Sequence, residues 1–393
     1  MLGAIYIGMS GMEAYEKGLQ AISNNVANLN SLGFKSDEVT FSDLYGQGGD
    51  ARDTAGTGSD SQGSGVRYAH PYIDFTQGTL NATSKDLDLA IQGGGFLVLL
   101  GGVQPVYART GAFEVSSDGY IALQGTKQHL AVLDASGHAS ALNIDKKRTN
   151  PPKATTAITF GQNLSSTATT ASVANLAVYD SLGTKQTWTA GFAPVTGAAG
   201  SWTVTVTDAN GRTVGTSTLK FAGGTVDPTT TKLTITDNPA GADPLSVMLD
   251  FSSVTSFSTG TSSTIAASAV DGNAPGDLSG VAVDDNGQVK LTYSNGQTEL
   301  EGAVAVADIR DPQSLTRTGN GTYHYEGTQP VTLRASNVAG LGKVESKQLE
   351  LSNVDLSQEF GELILVQRGY QASSQIVSVA NDMIQQLFSI RGQ

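Results

Sequence analysis

The chain contains no cysteine, which excludes disulfides and thiolate metal sites and leaves either redox compartment open to it. Charge is also scarce. Asp, Glu, Lys and Arg make up 15% of the residues, against about 25% in an ordinary globular chain. The balance is negative, at −13, which argues against nucleic acid or anionic lipid as a partner. No run of about 20 apolar residues occurs, so membrane insertion is not expected. The four histidines, His70, His129, His138 and His324, are scattered, and none has a second histidine at metal-ligand spacing. The N-terminus lacks a basic segment followed by an unbroken apolar one, because Glu13, Glu16 and Asn24 interrupt it. A cleavable secretory signal is therefore not expected, and export would use a route independent of one.

What the chain does have is length, glycine and two periodic ends. Its 393 residues suffice for two or three domains with real cores. Glycine is abundant at 47, with plentiful Ser and Thr, a composition suited to many turns, short strands and broad protein–protein surfaces. At the N-terminal end, Ile5, Met12, Leu19 and Val26 keep a seven-residue step, and Tyr15, Ile22 and Leu29 follow three places later. At the other end, Leu356, Leu363, Tyr370, Val377 and Ile384 do the same. Val366, Ala380 and Leu387 form a second row there that only Ser373 interrupts. Paired rows of this kind are the seam of a coiled coil. A straight helix drifts about 20° per heptad from such a row, so the pattern favours packing on another helix over packing on a sheet. Gly3, Gly8, Gly11 and Gly18 each cost the first helix about 1 kcal/mol relative to alanine, so it forms well only when packed.

Between the ends the signals are β. Asp86–Ile91 alternates, Phe96–Leu100 is a short apolar run, and Asp118-Gly119, Asn210-Gly211, Asn286-Gly287 and Asn295-Gly296 mark hairpin turns. The expected fold class is mainly β with long terminal α-helices. An inner β domain is interrupted by an inserted β-barrel or sandwich, and the two ends form a coiled-coil-like region. The expected division is 1–30 with 356–393 as a terminal helical region, 31–70 as a linker or extended arm, 71–150 with 281–355 as the inner β domain, and 151–280 as the insert. The Gly/Ser/Asp tract 46–65 has almost no apolar residue. Trp188 and Trp202, the only tryptophans, are expected in the core of the insert.

Candidate chemistry is thin. Gly93-Gly94-Gly95 lacks the Gly-Lys-Ser/Thr of a phosphate loop and reads as a bend between strands. Asp284–Gln288 places Val289 where a calcium loop needs glycine, and it reads as a hairpin turn. Asp86 and Asp88, on alternate strand positions, read as a solvated face. No catalytic residue, cofactor or metal is expected, and neither is an enzyme. Asn24, Asn25 and Asn28 either fix register between helices and brace the following turn, or simply cap and solvate a helix end.

The stretch Ile22–Lys35, carrying Asn24, Asn25, Ala27, Asn28, Gly33, Phe34 and Lys35, resembles the N-terminal signature of the bacterial flagellar rod and hook proteins. Further stretches are similar to the same family: Asp74–Leu80, Leu87–Phe96, Tyr107–Phe113, Leu351–Leu356 and Gln367–Ala372. Val178–Gly183 and Val289–Gly296 resemble the borders of the inserted domain that distinguishes hook subunits from the shorter rod proteins. The resemblance implies a homopolymer, a curved helical tube that acts as a universal joint between motor and filament. The terminal helices would line its channel. It implies export through the flagellar type III apparatus to an extracellular site. It also implies contact with the distal rod protein, the hook cap, the hook-length control protein and the hook–filament junction protein. A distal rod subunit is the alternative within the family. A β-rich adhesin or carbohydrate-binding protein is the alternative outside it.

Overall fold

The computed structural model describes residues 2–45, 63–69 and 72–391. Most of the Gly-rich tract, 46–62, lies outside them. The chain forms two compact units. The first comprises 1–145, 281–290 and 300–393, and the second comprises 146–280 and 291–299.

In the first unit, helix α1 spans Leu2–Ala27 and helix α2 spans Leu356–Arg391. Asp355 caps α2, its carboxylate accepting from the Ser357 backbone N–H at 2.7 Å. Asn28 ends α1. Its side-chain nitrogen donates to the Asn24 carbonyl at 2.9 Å, and its own carbonyl accepts from the Ser31 N–H at 3.0 Å. Leu29 lies beyond the helix, in the turn that follows, so the seven-residue count overran the helix by one step.

The β part of this unit is built of short, mostly antiparallel strands around Phe96–Leu100. That apolar strand pairs with Val106–Ala108, His129–Leu133 and Val306–Asp308. Phe96, Tyr107, Leu133, Ala305, Leu315 and Tyr323 share its core, where Phe75 sets its ring edge-on to both Phe96 and Tyr323. The expected turns form: Gly119 at φ +79 closes on Ser116, and Gly287 at φ +75 closes on Asp284. The triple glycine bends the chain between strands Asp88–Gln92 and Phe96–Leu100, with Gly93 and Gly95 at φ near +100. Residues 31–70 read as a linker or extended arm in the sequence, and part of their described portion is an ordered hairpin. Phe41–Tyr45 and Gly63–Tyr68 form an antiparallel hairpin. Its Phe41 ring lies 5.1 Å from that of Tyr15, and Val66 N–H donates to Ser10 Oγ at 3.3 Å. Aromatic residues at 41 and 68 give this segment an apolar face, against which α1 packs.

The second unit is a nine-stranded sheet from Ala157 to Val270. One pairing, Ala157–Asn163 with Leu245–Thr255, is parallel. Two of its strands alternate regularly: Trp202, Val204 and Val206 point inward from Ser201–Asp208, and Leu233 and Ile235 from Lys232–Asp237. The outermost strands, Ala171–Tyr179 and Ala266–Val270, approach one another, which gives the sheet a barrel-like closure. Trp188 and Trp202 are buried in its core beside the stacked pair Phe160–Phe251.

Candidate functional site: the paired terminal helices and their polar anchor

The two helices lie antiparallel, and small residues set their separation. The buried face of α1 is Gly8, Gly11, Ala14, Gly18, Ile22 and Asn25. A Cβ added at Gly8 would lie 2.6 Å from Val377 Cγ2, and one at Gly11 would lie 2.6 Å from Ser373 Oγ. On α2, Gly369 leaves room for the Tyr15 ring, which a Cβ there would meet at 2.4 Å. The buried row of α2 is Glu359, Val366, Ser373 and Ala380, a strict seven-residue step. The glycines that weaken α1 as an isolated helix are thus the residues that let α2 approach it.

The apolar rows of the sequence flank this seam. Ile5, Met12, Tyr15, Leu19 and Val26 are half-buried, and only Ile22 is fully enclosed. Leu363, Val377 and Ile384 are half-buried, while Leu356, Tyr370 and Leu387 are exposed. Ser373, which interrupts the second apolar row in the sequence, sits in the middle of the buried one. Spacing alone did not single out Gly8, Gly11, Gly18, Gly369 or Glu359, although Gly11, Gly18 and Asn25 keep a seven-residue step of their own. Away from the seam both helices expose large apolar side chains. Leu365 is 70% exposed, Phe388 67%, Tyr6 61% and Met9 56%. Such a concentration on one helix pair marks an interaction surface.

A buried polar cluster ties the helices to the β strands. Strand Gln348–Glu350 pairs with Leu80–Ala82 and delivers Glu350 to the interior, fully enclosed. Its Oε1 accepts from Lys35 Nζ at 2.6 Å and from the Gly78 N–H at 2.8 Å. Its Oε2 faces Arg109 Nε at 3.3 Å. Arg109 also donates to the carbonyls of Ile91, Gly93 and Gly95, the strand end and bend of the triple glycine. Burial holds both Lys35 and Arg109 below their ordinary pKa, and the Glu350 charge opposes that shift in each. The Glu350 carbonyl accepts from the Gly33 N–H at 2.8 Å, and Gly33 adopts φ +65. Phe34 stacks under Arg317, whose guanidinium lies 5.1 Å from the ring centroid.

Asn25 is the second tie. It is fully buried, takes both backbone groups of Asp37 at 2.9 Å, and donates to Glu359 Oε1 at 2.8 Å. The Asp37 carboxylate in turn pairs with Arg317 at 2.8 Å. Burial raises the Glu359 pKa, the Asn25 hydrogen bond opposes that, and the charges of Glu362 and Asp37 add to it. Asn24 and Asn28 cap the helix end, and Ala27 is exposed beside them. The three asparagines therefore divide between the two roles the sequence left open.

Among the described residues no group of three or more His, Asp or Glu could hold a metal, and no helix is long and apolar enough to cross a membrane.

Comparison with known proteins places three family models along the chain. "Flagella basal body rod protein" matches residues 5–35 and "Flagellar basal body rod FlgEFG protein C-terminal" matches 345–390. "Flagellar basal body protein FlaE D2 domain" matches 141–359, more than half of the chain. Among curated relatives, the flagellar hook protein FlgE of Escherichia coli is 30% identical, with 98% of each chain covered. That of Borreliella burgdorferi is 28% identical over the whole of both chains. A crystal structure of the Helicobacter pylori flagellar hook protein FlgE2 overlaps 69% of this chain and all of its own, at a TM-score of 0.49 and 12% identity.

Proposed function

Since the chain belongs to the flagellar hook protein family, we propose that it is the structural subunit of a bacterial flagellar hook and polymerises with further copies of itself through α1 and α2. The observation that carries this reading is the pair of helices, closed on each other along a small-residue seam and apolar on their outward faces. Leu365, Phe388, Tyr6 and Met9 are each more than half exposed. Burying an exposed leucine or phenylalanine in a neighbouring subunit contributes about 1.5–3 kcal/mol, and a polymer repeats that gain at every subunit.

A hook must stay joined at its inner layer while its outer contacts exchange as it turns. Apolar helix faces serve the first need. The Thr- and Ser-rich strands of the second unit serve the second, because such surfaces make weak, multiple contacts. The tube would transmit motor torque as a universal joint. In this reading the distal rod protein lies at its base, the junction protein at its tip, and the hook cap and length-control protein act during growth. The subunits would reach that extracellular site through the type III export apparatus.

The test is Leu365→Glu. Leu365 touches little within the chain, so the thermal stability of the soluble protein should change by no more than about 0.5 kcal/mol. Electron microscopy should show no tubes. Normal curved tubes from this variant would refute the assignment of α2 to the polymer interface, and straight tubes from the unaltered protein would favour a rod subunit.

A further inference from the structure

The helix pair contains its own alignment problem. As residue numbers rise by seven along α1 they fall by seven along α2: Gly11 meets Ser373, Gly18 meets Val366 and Asn25 meets Glu359. Both rows repeat in sevens, so a slide of seven residues, about 10 Å, brings them back into phase. In the outward slide Gly18 would face Ser373 and Gly11 would face Ala380, still small against small. The connector does not forbid it. Beyond the helix end at Ala27, Asn28–Phe34 is folded into turns and bends, and seven residues when extended span about 25 Å.

Between the two helices themselves, two contacts distinguish the observed alignment from the slid one; the bonds of Asn25 to Asp37 and of Val66 to Ser10 tie α1 to the neighbouring strands instead. Asn25 and Glu359 form a polar pair in the interior, 0% and 6% exposed. Glu359 Oε2 already has no hydrogen-bond partner among the described residues, so losing Asn25 would strip its carboxylate of its one side-chain donor. Tyr15 fills the space above Gly369. After the slide it would face Ile376, and Ile22 would lie over Gly369. We propose that Asn25–Glu359 and Tyr15–Gly369 are the register keys of the terminal helices, a polar key and a steric one, and that the rest of the seam sets closeness without setting alignment. Buried polar residues are best known for this use in paired helices. The inference concerns one chain's own helices and stands whether or not the chain polymerises.

Because the protein has no cysteine, introduced thiols report alignment cleanly. Ala4→Cys is combined with Ala380→Cys to read the observed register, or with Leu387→Cys to read the outward slide. Oxidative cross-linking is measured within single full-length chains, separated from dimers by gel mobility. The otherwise unaltered protein should cross-link at 4–380 and not at 4–387. Tyr15→Ala with Glu359→Leu should cross-link at both to a comparable degree, while Tyr15→Phe with Glu359→Gln, which keeps the ring and the acceptor, should return to 4–380 alone. Cross-linking of the Ala/Leu variant only at 4–380 would assign alignment to the connectors and to the strands bonded to α1, and would overturn the inference. So would absence of both cross-links, which would mean that the keys hold the pair together rather than align it. Failure of the 4–380 pair in the unaltered background would overturn the alignment itself.

Discussion

Glu350→Gln isolates the charge at the centre of the anchor while keeping its shape. In the native chain Glu350 Oε1 takes Lys35 at 2.6 Å and the Gly78 N–H at 2.8 Å, and Oε2 takes Arg109 at 3.3 Å. A glutamine can keep the first two partners by placing its oxygen at the Oε1 position. Its amide nitrogen then faces the Arg109 Nε–H, donor against donor. Two enclosed cations are left without the anion between them. Breaking a buried ion pair from one side costs about 3–5 kcal/mol. At about 2–4 °C per kcal/mol for a unit of this size, the midpoint should fall by about 6–20 °C. The two units provide an internal control. Both tryptophans, Trp188 and Trp202, lie in the second unit, so tryptophan fluorescence follows that unit, while far-ultraviolet circular dichroism at helical wavelengths follows α1 and α2. The helical transition should move and the tryptophan transition should stay. Adding Lys35→Met should recover part of the loss, since it removes one stranded cation. A loss under about 1 kcal/mol, the scale of an exposed pair, would refute the view that this cluster anchors the helices.

Two further predictions concern the seam. Gly3→Ala and Gly8→Ala both raise intrinsic helix propensity by about 1 kcal/mol. Nothing lies within 4 Å of a Cβ at Gly3, whereas one at Gly8 lies 2.6 Å from Val377 Cγ2 and 3.1 Å from the Ser373 carbonyl oxygen. Thermal melting should therefore show Gly3→Ala stabilising and Gly8→Ala destabilising by a net ~1–2 kcal/mol, the overpacking outweighing the propensity; stabilisation by both would show that the seam is loose. For pH, the Glu359 carboxyl is raised in the folded chain above its ordinary 4.5. The folded state then holds that proton more tightly, so the stability it contributes is present below 4.5 and is lost as pH rises through the folded value. Between those two values the stability of the unaltered protein should fall relative to Glu359→Gln as pH rises, and parallel pH–stability curves for the two proteins would refute the shift.

Seven-residue spacing and turn chemistry are local properties, and they made the helices and the hairpins legible. Ile5 to Val26 and Leu356 to Ile384 announce long helices that pack on helices. Asp118-Gly119 and Asn286-Gly287 announce turns, because only a few residues accept the backbone they require. The Ile22–Lys35 stretch was distinctive enough to point to a family.

Which stripe of each helix faces the other was not legible. A heptad places several rows on neighbouring faces, and sequence weighs them by hydrophobicity. The structure weighs them by how closely two backbones can approach, and by that measure Gly8, Gly11 and Gly18 outrank Ile5, Met12 and Leu19. The anchor was equally hidden. Lys35 and Glu350 are 315 positions apart, and no local pattern records a charge pair of that separation. Asn24, Asn25 and Asn28 look alike in sequence, yet only Asn25 points inward, to Asp37 and Glu359. Local chemistry determined which segments become helices, strands and turns. Steric fit between α1 and α2, and the requirement that a buried charge find a partner, were decided only once distant parts of the chain came together.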